Sequence, residues 1–187
     1  TSVTLTSAEA KLVVTTSPPA FTLTNAAGAE LLKTTDFTAT IDRPTFVDQI
    51  VPGWDGYQKK EDPWVASNTA RAKIVSKSAT STTLAWDIDG ATVTLTLTLK
   101  DNVVDVSTTF GNSTVRYNKS AFTFALPGDE HFFGMGERYA TVDHRGWSLY
   151  NWAEEGALGG GESAPPSATN PYPNGPSMTY FPVPFFL

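Results

Sequence analysis

Between Ala91 and Lys100 the chain alternates without a break: Val93, Leu95, Leu97 and Leu99 point one way, Thr92, Thr94, Thr96 and Thr98 the other. Successive side chains of a β-strand leave on opposite faces, so this period of two specifies a strand with one apolar and one wet face. A helix of the same ten residues would smear both classes around its circumference. The segment just before it, Ser81 to Ile88, reaches Ala91 through Asp89-Gly90. That pair accepts positive φ at both positions and is a strong signal for a two-residue hairpin. Asp101-Asn102 then turns into a further strand, Val103 to Thr108.

The same rhythm runs through the first two thirds of the chain. Phe21 and Leu23 alternate with Thr22 and Thr24, and Asn25-Ala26-Ala27-Gly28 is a turn signal before Leu31 and Leu32. Ala121 to Leu126 alternates again, with Phe122, Phe124 and Leu126 expected to face inward. Charged helix formers are sparse, and Thr and Ser abundant, which favours an all-β domain. One-sided alternation fits antiparallel sheets with a solvated face, and this many hairpin-linked strands predict an antiparallel β-sandwich. Arg43 to Ala66, with Pro44, Pro52, Trp54, Tyr57, Pro63 and Trp64, reads as a long irregular excursion. Ala157 to Pro176, rich in Gly, Pro, Asn and Ser, reads as a second.

Composition excludes several functions. A net charge of −6, with no Lys/Arg stripe, argues against nucleic-acid binding. No apolar run approaches the ~18 residues of a membrane-spanning helix, so no membrane partner is expected. The chain has no cysteine and two histidines, His131 and His144, so a metal site would need carboxylates and none is expected. Two N-x-S/T sequons, Asn112-Ser113-Thr114 and Asn118-Lys119-Ser120, are candidate glycosylation acceptors at Asn112 and Asn118. They make secretion the expected localisation.

Chemistry concentrates after His131. Gly134-Met135-Gly136-Glu137-Arg138 lacks the strand-turn-helix setting of a dinucleotide loop. It is read as a strand end where backbone packs closely, with Glu137 and Arg138 in ion pairs. In Asp143-His144-Arg145-Gly146 the Asp and His are adjacent and would face opposite sides of a strand. Catalysis by His144 is therefore not expected, and Arg145 is read as a loop anchor paired with Asp143 or Glu137. Trp152, Glu154, Glu155 and Glu162 combine a flat ring with carboxylates. Rings cover the C–H face of a pyranose and carboxylates accept bonds from its hydroxyls, so these four are the candidate substrate-binding residues. A catalytic carboxylate pair is not expected there, because such pairs sit on rigid elements and these precede a glycine run. The closing run Val183, Phe185, Phe186 and Leu187 is apolar and calls for a covering surface. The expectation is a chain that forms part of a larger protein.

These motifs carry a family resemblance. Phe133-Gly134-Met135-Gly136-Glu137-Arg138, Asp143-His144-Arg145-Gly146, Tyr150-Asn151-Trp152 and Tyr180-Phe181-Pro182-Val183-Pro184-Phe185-Phe186-Leu187 resemble the N-terminal region of glycoside hydrolase family 31. Pro19-Ala20-Phe21-Thr22-Leu23 and Gly28-Ala29-Glu30-Leu31-Leu32 are similar to its opening hairpin. The resemblance implies a galactose-mutarotase-like β-sandwich over 1–187 that precedes a (β/α)8 catalytic barrel not present in this chain. It also implies that 150–178 is a substrate-facing loop and that 179–187 leads to the barrel. The whole protein would be a retaining α-glycosidase, its catalytic aspartates on the barrel polypeptide and none in this chain, with no cofactor and an α-linked oligosaccharide or α-glycoside as substrate. Many α-glucosidases of the family carry an aspartate shortly after the Trp/Asn pair; here Glu154 and Glu155 stand in that neighbourhood. Two other readings are a stand-alone carbohydrate-binding β-sandwich and a structural or adhesive β-domain.

Overall fold

The computed structural model describes residues 1–40, 45–51, 54–58, 62–111, 117–138, 141–149 and 181–187. Within them lie fourteen strands and no helix. The chain divides into two compact units, Thr1–Thr45 with Tyr57–Ala125, and Phe46–Gly56 with Leu126–Leu187.

The first unit is an antiparallel sandwich. One sheet takes β1 (Ser2–Thr6), β2 (Ala10–Thr16), β3 (Pro19–Asn25) and β4 (Glu30–Thr40) as a meander. The second sheet takes β8 (Lys73–Lys77), β9 (Ser81–Ile88), β10 (Ala91–Lys100) and β11 (Val103–Gly111), again in chain order across the sheet. Between them in sequence come β5 (Thr45–Val51) and β6 (Trp54–Gln58), which pair as a two-stranded ribbon, and the short β7 (Val65–Ala66), which pairs with β4. After β11 the chain returns to the first sheet, where β12 (Lys119–Phe124) lies beside β4.

The alternation read from the sequence is the packing pattern observed. Val93, Leu95, Leu97 and Leu99 are all buried, while the four intervening threonines stay part-exposed. The threonines line an outer hydroxyl face, with Thr83 to Thr96 and Ser81 to Thr98 both bonded at 3.0 Å. Inner faces of the two sheets share one core, in which Leu5, Leu12, Val14, Phe21 and Phe37 of the first sheet meet Leu84, Trp86 and Val93 of the second. Phe37 and Trp86 meet edge-to-face, centroids 5.2 Å apart at 85°, which places the positive edge of one ring on the negative face of the other. The Trp86 indole N–H would be orphaned there but donates to Ser67 Oγ at 3.0 Å.

Turn chemistry sets the registers. Ile88 faces Ala91 across Asp89 and Gly90, whose φ values of 44° and 80° are both positive, as a primed hairpin turn requires. Tyr117 Oη donates to Asp89 Oδ2 at 3.3 Å and steadies the same turn. The turn at Asn25 closes by Gly28 N–H to the Asn25 carbonyl at 3.0 Å and Ala29 N–H to Asn25 Oδ1 at 2.9 Å, with Gly28 at φ 86°.

Two expectations fail. Phe122 packs on the core, but Phe124 is 41% exposed and Leu126 47%. The register of β12 on β4 shifts between Thr123 and Phe124, which pair with Asp36 and Thr34 and leave Thr35 unmatched. The extra residue lies on β4, so Phe124 keeps the face of Phe122, 6.3 Å away, but the irregular ladder leaves it exposed at the edge of the core. Phe124 instead leans edge-on against Phe21, centroids 6.3 Å apart. The stretch Arg43 to Ala66 is also not a plain irregular excursion, since β5, β6 and β7 lie within it. Thr45-Phe46-Val47 and Ile50-Val51 are strand formers, and Pro52-Gly53 is a turn-favouring pair.

Candidate functional site

Sequence reasoning places the functional residues after His131, in the second unit. Trp152, Glu154, Glu155 and Glu162, the candidate substrate contacts, lie outside the described residues, as does the sequon asparagine Asn112. What is described is the segment from which that stretch departs: residues 126–138, 141–149 and 181–187.

The glycine motif is a strand end built for close backbone approach, as expected. β13 (Gly134–Gly136) pairs with β14 (Pro182–Phe186), Gly134 facing Phe186 and Gly136 facing Pro182. Two residue steps on β13 thus span four on β14, a strong irregularity. Gly134, Met135 and Gly136 take positive φ of 109°, 63° and 86° to accommodate it. A Cβ on Gly134 would sit 2.7 Å from the Phe185 carbonyl oxygen, so the neighbouring backbone requires glycine there. Phe133 and Leu187 exchange both backbone hydrogen bonds at 2.9 Å, and Glu137 N–H donates to the Phe181 carbonyl at 3.1 Å. Arg138 Nε donates to the Met135 carbonyl at 2.9 Å, and burial pushes its guanidinium below the ordinary value. Phe133, Val183, Phe185, Phe186 and Leu187 are exposed.

Asp143, His144 and Arg145 are not on a strand, which changes the reading of where they face. Asp143 Oδ1 accepts the Arg145 N–H at 3.0 Å, an Asx-type turn that breaks extension. All three residues then reach different points of the segment 127–134. Asp143 Oδ1 also accepts the Phe132 N–H at 3.2 Å, and its Oδ2 meets His131 Nδ1 at 2.6 Å. His144 N–H donates to the Phe132 carbonyl at 2.8 Å, and its Nε2 lies 3.2 Å from the Gly134 carbonyl. Because a carbonyl can only accept, Nε2 is the donor of this bond, while the buried Nδ1 finds no partner. The Arg145 guanidinium donates to the carbonyls of Pro127, at 3.1 Å, and Glu130. It is the anchor the sequence predicts, but its side chain grips carbonyl oxygens rather than Asp143 or Glu137.

The electrostatics follow from these bonds. The His131 ring, then the Arg145 and Phe132 N–H groups, stabilise the ionised Asp143 carboxyl and hold it at about 2 against an ordinary 3.8. A carboxylate so low, accepting three donors, is no proton donor near neutrality. His144 is 7% exposed, with Nε2 on the Gly134 carbonyl. Among the described residues no three His, Asp or Glu side chains converge as metal ligands. The cluster is a scaffold that ties residues 141–147 to the β13 strand. Sequence reasoning missed His131, twelve residues from Asp143, because only the folded loop brings them together.

Comparison with known sequences covers the whole chain. The sequence model of one protein family, described as "Glycosyl hydrolase 31 N-terminal galactose mutarotase-like domain", matches residues 1–187. No curated protein and no solved structure matches the chain.

Proposed function

Because the chain belongs to the galactose mutarotase-like N-terminal domains of glycosyl hydrolase family 31, we propose that it is the noncatalytic N-terminal portion of a retaining α-glycosidase, α-glucosidase-like in its substrates. The catalytic aspartates are carried by a barrel on the remaining polypeptide. This chain shapes one wall of the pocket, with Trp152, Glu154, Glu155 and Glu162 toward the sugar. The substrate is an α-linked oligosaccharide or α-glycoside. The observation that carries the reading is the apolar surface of β13 and β14, where Phe133, Val183, Phe185, Phe186 and Leu187 are exposed side by side in sequence and across the ladder. Exposed apolar side chains gathered along paired strands are what a companion domain covers. The cluster of Asp143, His144 and Arg145 supports it further: its bonds run to backbone carbonyls and N–H groups of the preceding segment, and so hold backbone.

The test is kinetic, on the enzyme assembled with its catalytic polypeptide. Trp152→Ala and Glu155→Gln should each lower kcat/KM on α-glucosides by roughly tenfold, the effect of about 1.4 kcal/mol of lost contact. Melting temperatures should stay unchanged. Wild-type kinetics in both variants would remove these residues from the pocket. A chain that never associates with a barrel polypeptide, yet binds sugar alone, would support the stand-alone binding module instead.

A further inference from the structure

One motif remains that the proposed activity does not use, the sequon Asn118-Lys119-Ser120. An N-x-S/T triplet is common by chance in a chain this rich in Ser and Thr, so the triplet alone carries little. Its position in the fold carries more. Asn118 immediately precedes β12, and its N–H donates to the Thr40 carbonyl at 3.3 Å, so the backbone at the acceptor is already fixed by β4. The asparagine is exposed, and so is Ser120, the residue that supplies the hydroxyl of the sequon. Tyr117 before it points the other way. Its ring is buried, tilted against Phe110 at 5.7 Å, with its hydroxyl on Asp89. A bulky polar substituent on Asn118 would therefore leave into solvent without disturbing the core anchored one residue earlier.

We propose that Asn118 is an attachment site for an N-linked oligosaccharide. The donor class is a polyprenyl diphosphate-linked oligosaccharide. The Asn118 carboxamide nitrogen bonds to the anomeric carbon, the bond from that carbon to the diphosphate oxygen breaks, and the polyprenyl diphosphate leaves as the amide gives up one proton. Nothing is oxidised or reduced. The proposal requires that the chain pass through a secretory lumen, and it stands apart from the glycosidase reading: either can fail alone.

The full chain, secreted from a eukaryotic host behind a cleavable leader, provides the test. The expected result is a mass shift reversed by peptide amidase, with Asn118 converted to aspartate in the released peptide. Asn118→Gln and Ser120→Ala should reduce occupancy at this site to background, while Ser120→Thr, which keeps the hydroxyl, should retain it. Asn112→Gln should leave Asn118 occupied. An unmodified Asn118 peptide in the secreted wild-type protein would overturn the proposal, as would loss of the glycan in the Asn112→Gln variant alone.

Discussion

Gly134 and Gly90 provide a matched pair of perturbations. Both sit at positive φ, 109° and 80°, so alanine at either position pays for a left-handed backbone, about 1–2 kcal/mol. Only their surroundings differ. Around Gly90 nothing lies within 4 Å of an added Cβ, so the conformational cost is the whole cost. At Gly134 the Cβ would meet the Phe185 oxygen at 2.7 Å and the Phe186 Cα at 3.2 Å. Those atoms are backbone, with no rotamer to escape into, and the carbonyl must retreat by roughly half an ångström or more. That movement strains the paired bonds between Phe133 and Leu187, each worth about 0.5–1.5 kcal/mol net. The sum for Gly134→Ala is roughly 2–5 kcal/mol, confined to the β13–β14 ladder. Amide hydrogen exchange reads it directly. The Phe133 and Leu187 amides should exchange at least about 30-fold faster in Gly134→Ala, at about 1.4 kcal/mol per tenfold. In Gly90→Ala the same two amides should be unchanged, and the sandwich should lose about 1–2 kcal/mol in denaturant unfolding. Equal protection of Phe133 and Leu187 in wild type and Gly134→Ala would refute the argument that close approach is what demands glycine.

Phe37→Ala should be among the most damaging single changes in the sandwich. It removes a fully buried ring that meets Trp86 at 5.2 Å and Phe122 at 5.1 Å, and large aromatic truncations cost about 3–5 kcal/mol; thermal unfolding checks it. Trp86→Phe should cost about 1–3 kcal/mol beyond any packing change, because Ser67 Oγ loses its buried donor; a cycle with Ser67→Ala should recover part of that loss. Asp143 makes a prediction in pH. Its carboxyl falls from an ordinary 3.8 to about 2 on folding, so its contribution is fully present above the unfolded value and is lost as pH falls through the folded one. Asp143→Asn should therefore expose residues 126–138 and 141–149 to hydrogen exchange at neutral pH, and its difference from wild type should shrink as pH is lowered from about 4 to about 2. A difference that stays constant over that window would mean the carboxylate charge is not what holds the loop.

What could be read from the chain and what could not divides along one physical line. The strand β10 and the turn at Asp89-Gly90 were legible because both signals are local: a side-chain period of two, and a residue that tolerates positive φ, act within a few bonds. The family resemblance was legible for a similar reason, since its motifs are short runs read in order. Phe124's exposure was not legible because the irregularity depends on two strands together; Thr35, the extra residue, lies almost ninety residues away on β4. The β5–β6 ribbon was hidden by the Pro and Trp residues around it, which signal irregularity over a window wider than either strand.

The Asp143 cluster marks the limit most clearly. Adjacent residues were assigned to opposite faces on the premise of a strand, but Asp143 closes a turn on its own backbone and so turns itself, His144 and Arg145 toward one segment. The premise failed because a short polar side chain can offer the backbone an alternative to extension, and no apolar periodicity in 141–149 argued against it. The same turn explains why the cluster is a scaffold rather than a reactive centre. Both Asp143 oxygens, the His144 Nε2 and Arg145 Nη1 bond to groups of the preceding segment, while the buried His144 Nδ1 reaches no partner. A reactive group needs a poised proton or lone pair facing a cleft; a backbone clamp needs its donors and acceptors saturated. Both Asp143 oxygens and Arg145 Nη1 are engaged in this way, as a backbone clamp requires.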